Sequence, residues 1–538
     1  MMTKHRIYMA LAAGWLLACP VWGQAEAPLP VPQQDTTKLS AAEVQPDTGT
    51  AAEKAVQQGQ QQGTLIRGMD ITGSSLLKGN DLLRLIQIRP GMTVDADMVR
   101  QAAANVDAQY NAAGYLFSRV TSASIDSQGI LHMGITEGRV EDVSVKGNIK
   151  SKTNVVTREM VIHKGDIFNS NLVRRSIQRL YNTGYFGEVN VQLFPGQQDP
   201  HNVRLEVDVD EQKTGLVTFG AGYSQSNGIV GIIGLSDSNF RGRGDQVGLN
   251  WEFGGSAHGN NYTFSYTHPW VNAHGDSLGF SVFDHNYDYD DYNQDGNSVA
   301  EYYKRTKGFN VTYGRAHGQY IRDYLTLETK RVNYDEYQSG YDYRQVPGYL
   351  KSNFGRTNSL SWSHVYDNRD NVFNPTRGRR IATTTTVAGH GMGGDFSFYK
   401  LMTEGSWYRD MGHSHVLALR LMGGMAFGGD VPYSELFSLG GADTMRGYED
   451  DEFRGNRYYI GTLEYRIPLT KKLQAVLFAD AGSAWNGTDK LFWYEGDNKI
   501  HYDGGAGLRI QTPIGRVRLD YGWGSNGGKF HFSFGGQF

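Results

Sequence analysis

The 538-residue sequence predicts an all-β fold: a transmembrane, 16-stranded antiparallel β-barrel preceded by two α+β repeats of βααββ order. Four observations carry this expectation. From about residue 214, segments of about ten residues alternate apolar with polar positions and are cut by Gly, Asn and Asp turns. Beyond the N-terminal leader no apolar run approaches the roughly 20 residues of a membrane helix. The mean hydropathy of −0.49 fits strands whose lipid and lumen faces cancel. Residues 64–213 hold one supersecondary motif written twice.

The elements follow in chain order. Residues 1–23 read as a signal peptide: Lys4, His5 and Arg6 precede the apolar core MALAAGWLLACPVW, and Val21-Trp22-Gly23 supplies a cleavage site. Leu16-Leu17-Ala18-Cys19 also resembles a lipoprotein box, which would make Cys19 an acylated N-terminus. Cleavage at Gly23 would instead leave a mature chain without cysteine, hence without disulfide or thiolate chemistry. Residues 24–63, rich in Gln, Ala, Pro and Thr, read as a disordered linker.

The first repeat spans 64–137 and the second 138–213. In the first, the strand LIRGMDITG leads to the helix NDLLRLIQ, the amphipathic helix DADMVRQAAANVDAQYNAAG and two strands joined at Gln128-Gly129. The second reads VEDVSVKGN, NVVTREMVIHKGD, NSNLVRRSIQRLYNTGYFGEVNVQLFPG and NVRLEVDVDEQ. Gly73 matches Gly147, Gly91 matches Gly165, and Gly114-Tyr115 matches Gly184-Tyr185. Residues 214–538 then form the barrel, whose sixteen segments run from GLVTFGAGYSQS to the terminal KFHFSFGGQF. That last segment places Phe530, Phe532 and Phe534 on one face and ends on Phe538. An exposed apolar terminal strand would be an aggregation hazard in water, so the sequence predicts that it pairs with the first strand and turns its phenylalanines to lipid.

Composition excludes several functions. A net charge of −4 gives no basic field for nucleic acid. Metalloprotease HEXXH, P-loop and GXSXG patterns are absent, so no enzyme and no cofactor is expected. Asp291-x-Asn293-x-Asp295-Gly296 matches half of a calcium loop, but its twelfth position is Tyr302, with Glu301 beside it. DYDDYNQDG therefore reads as an acidic, solvated loop, and no metal is expected. His413 and His415 read as turn residues.

Several stretches resemble the BamA/TamA superfamily of outer-membrane barrels. The βααββ repeats resemble its periplasmic POTRA domains, most plainly in IQRLYNTGYFGEVNV. LSDSNFRGRGDQVGL, YTHPW and YDNRDNVFNPTRGRRI resemble family segments of the barrel. The most specific stretch is FSLGGADTMRGYEDDEFRGNRYY, residues 437–459. There Met445-Arg446-Gly447-Tyr448 resembles the family's VRGF/VRGY motif, in a loop folded back into the lumen, with Met in place of Val. The resemblance implies that Arg446 contacts acidic residues of the next two strands, at Glu464 and Asp480. A planar guanidinium suits carboxylates, and an arginine inside a barrel needs such partners. Phe538, with Phe530, Phe532 and Phe534, resembles the C-terminal assembly signal.

Two functions follow from the resemblance. In the first, the protein folds and inserts β-barrel clients into the outer membrane. Gly220 and Gly222 on the first strand, with Gly535 and Gly536 on the last, weaken a lateral seam that could template an incoming strand. Its partners would be unfolded outer-membrane proteins, the lipid bilayer and accessory periplasmic or lipoprotein subunits, with no nucleic acid. The alternative is a two-partner secretion translocator that exports one partner protein through the lumen. A simple pore or receptor has no need of a tandem periplasmic arm.

Overall fold

The computed structural model describes residues 63–534 except 225–227, 255–259, 273, 294–295, 319, 373, 430, 471, 487–497 and 513–514. The expected leader, Cys19, all but the last residue of the expected linker, Asp295, Gly535, Gly536 and Phe538 lie outside these residues. The chain divides into two compact units, an arm up to Thr214 together with Arg241–Gly244, and the strands of Gly215–Phe240 and from Asp245 onward.

The arm holds two similar modules. The first runs β1 (Thr64–Leu65), β2 (Gly68–Thr72), α1 (Asn80–Ile86), β3 (Thr93–Val94), α2 (Ala96–Ala112), β4 (Ser118–Ile125) and β5 (Ile130–Glu137). The second runs β6 (Val140–Lys146), α3 (Thr153–Thr157), α4 (Ser170–Asn182), β7 (Phe186–Pro195) and β8 (Val203–Glu211). Their sheets are ordered β2-β5-β4 and β6-β8-β7, with the first strand of each parallel to the last. The two-residue ladder of β1 with β3 is too short to leave a sequence period.

Helix and strand periods meet in each core. Val99, Ala102, Val106 and Tyr110 line one face of α2 and pack with Leu131, Met133 and Ile135, alternate residues of β5. Val173, Ile177 and Leu180 of α4 do the same with Val203, Leu205, Val207 and Val209 of β8. Asp95 caps α2 by accepting from Met98 N at 2.8 Å.

The repeat glycines have a steric cause. Gly73 and Gly147 have φ of +85° and +81°, and a Cβ there would stand 1.9 Å from Ile135 O and 2.0 Å from Val209 O. A carboxylate then ties down the turn after each. Glu137 accepts from Ser75 N at 2.8 Å, Leu76 N at 2.9 Å and Tyr110 Oη at 2.9 Å. Glu211 accepts from Lys150 N at 2.7 Å and Ser151 N at 2.6 Å.

The two modules also meet directly. Ser170 N donates to Gly114 O at 2.9 Å, Asn169 Nδ2 to Ala113 O at 3.1 Å, and Phe117 meets Phe168 edge to face at 4.9 Å.

The second unit is the predicted sixteen-stranded antiparallel barrel. Its strands are β9 (Gly215–Ser224), β10 (Gly228–Phe240), β11 (Asp245–Gly254), β12 (Asn261–His268), β13 (Ser277–Tyr292), β14 (Ser298–His317), β15 (Ile321–Gly340), β16 (Arg356–Asp367), β17 (Gly378–Ala388), β18 (Phe398–Asp410), β19 (Val416–Phe427), β22 (Arg457–Pro468), β23 (Leu473–Trp485), β24 (His501–Thr512), β25 (Gly515–Gly524) and β26 (Gly527–Phe534). Each pairs with the next in chain order; β20 (Phe437–Leu439) and β21 (Phe453–Gly455) form a separate hairpin inside the β19–β22 connection. The expected pairing of β26 with β9 has no ladder among the described residues.

Period 2 sorts the wall. On β23 Leu477 is 55% exposed, whereas Phe478 and Asp480 are buried on the lumen side. Glu464 on β22, Arg509 on β24, Asp520 on β25 and His531 on β26 are likewise buried, while Leu463 and Trp523 are exposed.

Two expectations need correction. β13, β14 and β15 have 16, 20 and 20 residues, not about ten. Beyond the roughly 9–11 residues that span a bilayer, cross-strand polar pairs continue the ladder, among them Arg305 Nε to Asp284 Oδ1 at 2.9 Å. And DYDDYNQDG is not a wholly solvated acidic loop: its first five residues belong to β13, and Asp291 is 0% exposed.

Candidate functional site

The β19–β22 connection, residues 428–456, runs inside the barrel. Gly440 and Gly441, at φ +120° and +92°, reverse the chain just after β20. A Cβ on Gly440 would stand 2.1 Å from Glu449 O. Met445 and Tyr448 are buried, with Phe437, Leu439 and Phe453, in one apolar cluster against Tyr458 and Ile460 of β22. This anchoring delivers Arg446, itself 0% exposed, to the wall.

Arg446 sits between the two carboxylates that the resemblance implied. Its Nε and Nη2 donate to Asp480 Oδ2 and Oδ1, each at 2.9 Å, and its Nη1 donates to Glu464 Oε1 at 2.6 Å. The guanidinium carbon lies 3.5 Å from the centre of the Phe478 ring. A network continues outward. Glu464 Oε2 accepts from Arg466 Nε at 2.9 Å, and its Oε1 from Arg509 Nη2 at 3.2 Å. Arg509 Nη1 donates to Asp520 Oδ1 at 2.6 Å, and Arg518 pairs with Asp443 of the loop. Arg446, Arg466, Arg509 and Arg518 thus meet Glu464, Asp480, Asp520 and Asp443, a balanced set that offsets the cost of burial.

Gly447 is required by close approach. A Cβ there would lie 2.5 Å from both Gly524 N and Asp503 Cβ. Tyr448 Oη donates to Tyr502 O at 3.1 Å.

The remaining sequence-predicted residues are separate from this centre. Gly220 and Gly222 lie on β9 opposite Ile232 and Val230. Phe530, Phe532 and Phe534 lie on β26 opposite Tyr521, Leu519 and Val517.

Sequence reasoning missed a second arginine. Arg454, 2% exposed, donates from Nη1 to Asp291 Oδ1 at 2.8 Å and from Nη2 to Asp290 O at 3.1 Å. Tyr343 Oη donates to Asp291 Oδ2 at 2.6 Å, and Tyr433 Oη also bonds Asp291. Arg454 lies 4.1 Å from the Tyr289 ring centre. Around it Tyr302, Tyr343, Tyr349, Phe354 and Tyr433 join β14, the β15–β16 connection with α5 (Tyr349–Asn353), and the lumenal loop in one cluster. The signal was present: Arg454-Gly455 repeats Arg446-Gly447, and a Cβ on Gly455 would lie 2.1 Å from Trp485 O. The loop is therefore held at one end to β13 and at the other to β22–β26.

Known proteins share this organisation. The Omp85 superfamily domain matches residues 239–538, and the POTRA family, described as a surface antigen variable number repeat, matches 64–138 and 139–212. The outer membrane protein assembly factor BamA of Nitratidesulfovibrio vulgaris is 31% identical over 425 residues, 74% of this chain and 51% of the relative. That of Neisseria meningitidis serogroup B is 23% identical over 505 residues, 82% of this chain and 62% of the relative. The chain thus spans between half and two thirds of these relatives. BamA from Haemophilus ducreyi lacking POTRA domains 1–3 superposes with a TM-score of 0.55 at 22% identity, covering 87% of this chain and 98% of that one. CdiB from Escherichia coli gives 0.63 at 14% identity, covering 90% of each. Both share the fold. By the match over more than half its length, this chain belongs to the Omp85 superfamily.

Proposed function

We propose that this outer-membrane protein, with its POTRA modules in the periplasm, folds β-barrel clients and inserts them into the outer membrane through a lateral seam between β9 and β26. The observation that carries this reading is the match to relatives named outer membrane protein assembly factor, across both the arm and the barrel. The strands at the two ends of the sheet support it physically. β9 carries three glycines among its ten residues, and β26 two among Gly527–Phe534. Glycine inside a strand leaves no side chain to pack, so these edges can part and present unpaired backbone groups to an incoming strand. Clients, bilayer and accessory periplasmic or lipoprotein subunits are the proposed partners. No covalent step is needed, because the client's own folding supplies the free energy.

In this role Arg446, with Glu464 and Asp480, holds the lumenal loop against the wall beside the seam, and the terminal aromatic strand sets the seam's other edge. The alternative, secretion of one partner through the lumen, would require that partner to displace a loop bonded at both Asp291 and Asp480. Quantitative proteomics of outer membranes after depletion separates the two. Insertion predicts the loss of many barrels; the loss of one secreted protein, with barrels at normal levels, overturns it.

A further inference from the structure

The last strand touches the lumenal loop directly as well as through the arginine network. His531 of β26, 5% exposed, has its Nε2 at 2.9 Å from the carbonyl oxygen of Arg446. A carbonyl only accepts, so Nε2 carries the proton and donates. Two residues earlier on the same face, Lys529 Nζ lies 2.5 Å from Glu449 Oε1.

β25 bridges loop and strand from the side. Arg518 pairs with Asp443 of the loop, and its Nε donates to Ser533 Oγ of β26 at 2.8 Å. No side chain separates loop from wall here. A Cβ on Gly522 would lie 2.2 Å from Arg446 O, and one on Gly524 would lie 2.8 Å from Gly447 O. Arg446 and Gly447 therefore lie backbone to backbone on β25, while the Arg446 carbonyl and Glu449 bond side chains of β26.

Among the described residues β26 has one ladder, to β25, so contacts on its inner face add directly to what fixes it. We infer that the lumenal loop is a brace that positions β26 through His531 and Lys529, so that release of the loop and freeing of the last strand are one transition. If the loop leaves, His531 and Lys529 lose their partners inside the barrel. If β26 leaves, the Arg446 carbonyl and Glu449 lose theirs. Each departure lowers the cost of the other, and this coupling is reciprocal. The inference rests on the lateral-seam reading for its consequence, not for its geometry.

Hydrogen exchange of the full-length protein in lipid nanodiscs, with no client present, tests it. His531→Ala removes one hydrogen bond of about the usual net strength, so exchange should rise about fivefold in β26 and by the same factor in residues 443–452. His531→Gln, whose side-chain amide can donate to the same carbonyl, should restore both rates. Arg446→Ala, which removes no side chain that β26 touches, should also speed exchange in β26. Should His531→Ala reduce the yield of folded protein, Lys529→Ala with Lys529→Arg as its rescue gives the same comparison. Faster exchange in β26 with an unchanged loop, or Arg446→Ala with wild-type exchange in β26, overturns the inference. Failure of client insertion in reconstituted membranes would instead overturn the proposed function and leave linked exchange standing.

Discussion

Replacing Arg446 by alanine removes three donors from two carboxylates that are each 1% exposed. The loss falls unequally. Glu464 keeps Arg466 and Arg509, whereas Asp480 loses its two-pronged partner and is left opposite Asp503, its cross-strand neighbour on β24 and a like group. Removing one partner of a buried ion pair costs about 3–5 kcal/mol. At 1.4 kcal/mol per factor of ten, the population of released loop should rise roughly a hundredfold to a few thousandfold. The loop retains Arg454–Asp291 and Lys529–Glu449, so the barrel should persist. The assay is limited proteolysis with a glutamate-specific protease, which can cut at Glu449 or Glu452 only when the loop leaves the lumen. When reclosing outpaces cutting, the cleavage rate follows that open population. Arg446→Lys keeps a charge but loses the fork, and should fall between wild type and alanine. Wild-type cleavage of Arg446→Ala, in protein that still shows the heat-modifiable mobility of a folded barrel, would refute the reasoning.

Three further outcomes follow from the geometry. Asp291→Asn should loosen the aromatic cluster around Arg454, raising loop cleavage at least tenfold and increasing open events in planar-bilayer recordings; unchanged traces would count against that anchor. Gly73→Ala and Gly147→Ala each place a Cβ against a carbonyl at positive φ, and each should destabilise its own module by more than about 1 kcal/mol in denaturant titrations. At Glu137, burial raises the carboxyl pKa, but the bonds from Ser75, Leu76 and Tyr110 outweigh it and hold it below the usual 4.5. A depressed pKa stabilises the fold above the unfolded value and loses that contribution as pH falls through the folded one. Arm stability should therefore drop below about pH 4.5, and Glu137→Gln should flatten that part of the profile; an unaltered acid limb would remove Glu137 from the account.

The residues that were legible in the sequence share one property: their pattern is local. The two modules follow from repeated glycines and from a helix period that switches to a strand period. The sixteen strands follow from period 2 and turn residues. Arg446 was found because MRGY sits in a glycine-flanked stretch that resembles a family motif, which also implied Glu464 and Asp480. What escaped depends on distant chain. Asp291 stands in an acidic run that reads as solvated, and it is buried only because the β15–β16 connection and a loop some 160 residues away fold over it. The lengths of β13–β15 escaped because their outer halves carry charges that break the apolar alternation, while cross-strand ion pairs keep the ladder going. His531 reads simply as the polar partner of Phe530 and Phe532; only the fold brings Arg446 O to it.

The most direct test of the seam is to lock it. Cysteine pairs scanned across β9 and β26, in a chain with Cys19 replaced, should yield at least one pair that oxidises to an intramolecular disulfide in the outer membrane. With that bond closed, client insertion by the reconstituted protein should stop, and reduction should restore it. Full insertion by the locked protein would contradict the account.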